Sequence, residues 1–183
     1  MKYEPLAIPD VVLMTPKVFG DERGFFLETF RQSDFEHHCG NYRFVQDNHS
    51  KSCQGTLRGL HYQLKQPQGK QVWVTKGEVF DVVVDLRKNS PTFGQWVGVT
   101  LNADNKQLLW VPPGFAHGFY VTSEEAEFQY KCTDYYAPGD EYAIRWDDPT
   151  LNIQWPVCGP NAPVLSAKDI TAPLWSELTA FYD

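Results

Sequence analysis

Apolar and polar side chains alternate with a period of two along much of this chain. Phe80, Val82, Val84 and Leu86 alternate with Val79, Asp81, Val83 and Asp85. Val97, Val99 and Leu101 repeat the pattern, as do Phe128, Tyr130 and Cys132 against Gln129, Lys131 and Thr133. Such alternation predicts strands with two distinct faces. Turn signals fall at Lys76-Gly77-Glu78, Asn89-Ser90-Pro91, Ala103-Asp104-Asn105 and Ala137-Pro138-Gly139-Asp140. Many short strands between frequent turns predict a mainly β fold, a sandwich or barrel. Helix signals are few. Ser33-Asp34-Phe35-Glu36 reads as a capping box, with Gly40 as the stop. Leu174, Trp175, Leu178, Phe181 and Tyr182 have helical spacing, with Thr171 as the expected cap and Pro173 in the first turn. Both helices are expected at the periphery of a β core.

Composition narrows the function classes. The 183 residues fit one domain, 1–183, with 42% hydrophobic and 15% aromatic residues against disorder. A net charge of −7 argues against nucleic-acid binding through bulk electrostatics. A locally basic cleft for a small anion is compatible with it. Cys39, Cys53, Cys132 and Cys158 form no CxxC pair, which fits a reducing compartment. No apolar stretch has the length of a membrane span, and Met1-Lys2-Tyr3-Glu4-Pro5 lacks a signal-peptide core. A soluble, cytoplasmic protein is expected.

Two segments carry candidate chemistry, Arg58-Gly59-Leu60-His61-Tyr62-Gln63 with Gly69-Lys70, and Pro112-Pro113-Gly114-Phe115-Ala116-His117. In a strand, His61 shares a face with Gly59 and Gln63. Arg58 has the wrong parity and joins that face only through a bulge or bend at Gly59. Together His61, Lys70 and Arg58 would make a cationic site able to take a proton from carbon while holding an anion. His117 reads either as a turn histidine beside Phe119 and Val121 or as a donor to a ligand oxygen or phosphate. Tyr130 is either a core aromatic or a proton donor. Lys168-Asp169 is a surface charge pair, or Asp169 orients a histidine. Arg23, after the Gly20-Asp21-Glu22 turn, is suited to a phosphate or belongs to an edge strand. A metal site would need a glutamate soon after His61, where Gln63 stands, so no metal is expected.

These segments, together with Phe19–Glu28, Gln46-Asp47-Asn48 and Tyr130-Lys131, resemble the dTDP-4-dehydrorhamnose 3,5-epimerase family in motif and order. The resemblance covers nearly the whole chain. It implies a cupin-type antiparallel β jelly roll with a few short peripheral helices, a homodimer, and neither metal nor cofactor. It implies His61 as the base, Asp169 as its charge partner, Tyr130 as the opposing proton donor and Lys70 as the enolate stabiliser. Arg23, Glu28, Gln46, Asn48, Arg58, His117, Glu141 and Lys168 match nucleotide-sugar contacts, with those of the Arg23 segment coming from the neighbouring subunit. The implied activity is epimerisation of dTDP-4-dehydro-6-deoxy-D-glucose at C3 and C5 in dTDP-L-rhamnose biosynthesis. The alternatives are a related 3-epimerase, a non-catalytic sugar-nucleotide binder, and a metal-dependent cupin.

Overall fold

The structure is a computed structural model that describes residues 1–157 and 162–183. Cys158 lies outside the described residues. In chain order the strands are β1 (Lys2–Pro5), β2 (Val12–Thr15), β3 (Val18–Asp21), β4 (Gly24–Leu27), β5 (Gln46–Cys53), β6 (Leu57–Gln63) and β7 (Lys70–Lys76). They continue with β8 (Glu78–Asp85), β9 (Trp96–Asn102), β10 (Leu108–Val111), β11 (Phe115–Val121), β12 (Glu125–Cys132) and β13 (Glu141–Ala143). One sheet runs β1-β2-β10-β7-β12-β5, a second β13-β6-β11-β8-β9, and β3 and β4 form a separate hairpin. Every strand pairing within these sheets is antiparallel. This is the expected cupin-type β jelly roll.

The two large sheets close on a shared apolar core. Val72, Val74, Leu109, Val111, Ala126 and Phe128 from the first meet Val79, Val83, Val97, Leu101, Phe115 and Phe119 from the second. Phe119 and Phe128 stack with ring centroids 4.2 Å apart. Burying such side chains supplies about 25 cal/mol per Å² of apolar surface removed from water.

The alternation read in β8 falls on a strand whose two faces are both buried from Asp81 to Asp85. Val82 and Val84 are as buried as Val79 and Val83. The reason is a second apolar layer on the outer face, where Leu60, Tyr62, Leu86, Ile144 and Leu151 meet Trp155, Trp175, Leu178 and Phe181. The C-terminal segment serves as this cover, which also explains why it is not the predicted helix. Only a short helix α2 (Ala167–Ile170), capped by Ser166, and a 3₁₀ turn at Trp175–Glu177 form there. Thr171 stands at the C-terminal end of α2 instead of capping a later helix. Beyond it, Tyr182 runs extended and exchanges backbone hydrogen bonds with Leu86 and Lys88. Spreading Trp175, Phe181 and Tyr182 over the sheet buries more aromatic surface than one helical stripe would.

The other predicted helix, α1 (Gln32–Cys39), does form and ends at Gly40, whose N–H bonds Glu36 O at 3.2 Å. Ser33 is not its cap, because the helix starts at Gln32 after Arg31, without a side-chain cap. Phe30 and Phe35 both join the aromatic cluster around Trp110 on the outer face of the first sheet. That packing sets the helix start, and local propensity yields to it.

Candidate active site

The site lies between the sheets. One cavity of about 80 Å³ is lined by Arg58 and His61 from β6, His117 and Phe119 from β11, Lys70 from β7, and Phe128 and Tyr130 from β12. An adjoining space of about 110 Å³ shares His61, Lys70 and Tyr130 and adds Gln63, Gln68, Tyr136 and Glu141. His61 and Tyr130 therefore approach one space from opposite sheets. A groove of about 370 Å³ beneath the β3–β4 hairpin is larger, but Phe25, Phe26, Trp73, Val74 and Leu108 make it largely apolar.

The bulge required at Gly59 is present. On β11, His117 pairs with His61 and Phe119 with Arg58, so three steps on β6 oppose two on β11. The extra residue restores Arg58 to the cavity side that its parity alone denied it. Glycine is needed at both ends of this approach. A Cβ on Gly59, whose φ is 116°, would sit 2.6 Å from Gly118 Cα.

His61 Nε2 lies 2.5 Å from Asp169 Oδ1. Asp169 is buried at 2% exposure, and Ser166 Oγ donates to its Oδ2 at 2.7 Å. Burial pushes the Asp169 carboxyl up, but the bonds from His61 and Ser166 outweigh it and hold the group below its ordinary range. The carboxylate is thus charged at neutral pH and able to stabilise a protonated imidazole.

Tyr130 lines the cavity, its ring 6.0 Å from that of Phe128. Burial raises its phenol pKa, so it stands protonated as a donor. Lys70 Nζ lies 6.0 Å from the Tyr130 ring centroid. Burial lowers its ammonium pKa, with Cys132, Glu141 and Asp81 opposing. His117 Nε2 meets both oxygens of the fully buried Asp81 at 2.9 Å.

The remaining expected contacts separate into three groups. Lys168 Nζ pairs with Glu141 Oε1 at 2.5 Å, and Tyr136 donates to the other Glu141 oxygen at 3.0 Å, forming one rim. Gln46 and Asn48 sit on β5, opposite Cys132 and Tyr130, and bond each other at 3.1 Å. They flank the site without lining either cavity. Arg23 and Glu28 are not brought to it at all within this chain. Arg23 projects from the β3–β4 turn, its side chain 86% exposed and paired with Asp21, while Glu28 pairs with Arg31 at 2.9 Å. Among the described residues no three His, Cys, Asp or Glu side chains converge as metal ligands.

Reading the sequence missed Asp81, Ser166 and Gln63 as structural parts of the site. Asp81 had a signal: a carboxylate inside the run Val79-Phe80-Asp81-Val82-Val83-Val84 needs a buried partner. Gln63 ties the site to the following loop, donating to Gln66 O at 2.7 Å and accepting from Ala137 N at 2.9 Å. Ser166 had no signal beyond its position three residues before Asp169.

The dTDP-4-dehydrorhamnose 3,5-epimerase family model matches residues 5–177. The chain is 58% identical to the dTDP-4-dehydrorhamnose 3,5-epimerase of Pseudomonas aeruginosa over 99% of both chains. It superposes with a TM-score of 0.93 on the dTDP-6-deoxy-D-glucose-3,5-epimerase of Legionella pneumophila in complex with dTDP-4-keto-L-rhamnose, at 52% identity over 97% of this chain and 94% of that one. A 3'-monoepimerase from Streptomyces bikiniensis in complex with dTDP-quinovose is also similar, at TM-score 0.87 and 34% identity over 94% and 86%. From the motifs, the fold and these likenesses together, the chain belongs to the dTDP-4-dehydrorhamnose 3,5-epimerase family.

Proposed function

We propose that this enzyme converts dTDP-4-dehydro-6-deoxy-D-glucose to dTDP-4-dehydro-L-rhamnose by inverting C3 and C5. The observation that carries this reading is the placement of His61 and Tyr130 on opposite sheets across one cavity that Lys70 also lines. The C4 ketone acidifies the hydrogens on both neighbouring carbons. With Nε2–H donated to Asp169, Nδ1 of His61 is the nitrogen that accepts the proton. The electron pair moves to the ketone oxygen, and the Lys70 ammonium stabilises that enolate. Tyr130 then delivers its phenolic proton to the opposite face, so the carbon inverts. The imidazolium and phenolate return to their starting states by proton exchange with solvent, and the cycle repeats at the second carbon. The reaction is redox-neutral and needs no cofactor. Arg58 and His117 bind the diphosphate from within the chain, and Glu141 and Lys168 hold the rim.

Arg23 and Glu28 complete the site from a second copy in a homodimer. The support is their remoteness from the cavity within one chain and the exposure of Val18, Phe19, Phe25 and Phe26 on the same hairpin. Gln46 and Asn48 stand beside Tyr130, where a bound nucleotide sugar would pass. The chain acts as one domain, residues 1–183, in the cytoplasm. The free thiols of Cys39, Cys53 and Cys132 are compatible with that location, and no helix among the described residues is long and apolar enough to cross a membrane.

The test is the keto sugar in D₂O. Deuterium should appear at C3 and C5 of the product. Label at C3 alone would assign the chain to the 3-epimerases, a class to which the similar Streptomyces bikiniensis protein belongs. Binding of dTDP without exchange at either carbon would leave a sugar-nucleotide binder and reject the catalytic reading.

A further inference from the structure

The carboxylate beneath the cavity has no role in the steps above. Asp81 is fully buried on β8, with the inward parity of Val79 and Val83, so it points into the apolar space between the sheets. An ionised carboxylate there is costly unless paired. Its pairing is specific, because both oxygens lie 2.9 Å from His117 Nε2. The cavity above is lined by Arg58, His61, Lys70 and His117 and by no acidic side chain. Asp81 is therefore the counter-charge beneath a wall of cationic and basic groups.

We propose that Asp81 is a positioning residue with two tasks: it fixes the ring of His117, and it holds negative charge behind that ring, on the wall of the cavity that Lys70 also lines, so that Lys70 stays protonated in the empty and the loaded site. This rests on Lys70 being the enolate stabiliser. The first task follows from the bidentate contact, which sets the proton on His117 Nε2 and turns Nδ1 away from Asp81. The second follows from burial. Lys70 is half-buried and makes no salt bridge among the described residues, and its partial removal from water favours the neutral amine. A neutral amine has no charge with which to stabilise an enolate.

Lys70 is faced by Tyr130 and Cys132 on β12, Arg58 and His61 on β6, His117 on β11, Glu141 on β13, Lys168 on α2 and Asp81 on β8. Of the two carboxylates, Glu141 is already engaged by Lys168 and Tyr136 at the rim. Asp81 is the one behind His117, which shares the cavity with Lys70. The coupling is mutual: burial raises the Asp81 carboxyl above its ordinary range, and His117 and Lys70 oppose that rise.

The experiment compares pH profiles of kcat and KM for the wild type and Asp81→Asn, whose amide oxygen still accepts from His117. The expected result is an alkaline limb of kcat displaced to lower pH by about one unit, with kcat on that limb reduced by up to about tenfold and KM changed less than threefold. Thermal melting checks that the variant is folded. In a Lys70→Arg background, whose guanidinium does not titrate in this range, Asp81→Asn should leave the limb in place. An unmoved limb in Asp81→Asn, or an equal displacement in both backgrounds, would overturn the proposal. If the wild type itself fails to exchange C3 and C5 hydrogens, the proposed function fails first, and the two failures are distinguishable.

Discussion

At the scale of single residues, the two proton-handling groups differ in what their loss should do. His61→Ala removes the base, so both isotope exchange and inversion should fall by about 10²–10⁴-fold, while dTDP affinity measured by calorimetry stays within a few-fold. Tyr130→Phe removes only the donor on the far wall. Abstraction by His61 and return of solvent deuterium from the same face continue, so exchange should outlast inversion. Equal loss of both in Tyr130→Phe would contradict the assignment of the phenol to the opposite face. His61 was legible as candidate chemistry because a histidine stood inside a strand-like run with Arg58 and Lys70 close by, and His117 because it followed the rigid Pro112-Pro113-Gly114 turn. Tyr130 was not, since parity alone fits an aromatic core position equally well. The role proposed for it rests on the facing sheet, from which His61 lines the same cavity. Ser166 and Asp169 reach β6 from more than 100 positions away, His61 and Asp169 being 108 apart, so no local pattern could connect them.

At the scale of elements, the bulge in β6 sets the site. Gly59 and Gly118 let β6 and β11 approach so closely that an added Cβ on Gly59 would also lie 2.7 Å from His117 O. Gly59→Ala should therefore cost roughly 2–4 kcal/mol by denaturant unfolding and reduce turnover, since Arg58 and His61 would shift together. A variant as stable and active as wild type would show that the strands can separate freely. Strand positions were readable because alternation survives where one face meets the core, as in β9 and β12. The burial of both β8 faces was not legible, because the cover on its outer face comes from a distant C-terminal segment with helical spacing. That spacing reflects several aromatic residues laid over a sheet, where packing area outweighs helix propensity. The capping box failed for a related reason: Phe30 and Phe35 fix where α1 begins, and Ser33 falls inside it.

For the whole molecule, stability toward acid is expected to depend on Asp85 at the end of β8. Burial would raise its pKa, yet donors from Arg87, Ser90 and Thr92 bring it down to about 2. A depressed carboxylate stabilises the fold above its unfolded value, and that contribution is lost as pH falls from about 4 through about 2. The shift from 3.8 to about 2 corresponds to about 2 kcal/mol. Asp85→Asn should thus be less stable than wild type at pH 7 by about that amount, with the gap closing near pH 2. A gap independent of pH would show that the hydrogen bonds act without the charge.

The outward Arg23 hairpin carries a different consequence. If each cavity is finished by an arginine borrowed from the other chain, an Arg23→Ala protein and a His61→Ala protein are each inactive for reasons that lie on different polypeptides. After unfolding and co-refolding in equal amounts, half the pairs are mixed, and each mixed pair holds one intact centre, so about a quarter of normal turnover should return. Two dead proteins restoring each other is a result that self-sufficient chains cannot give.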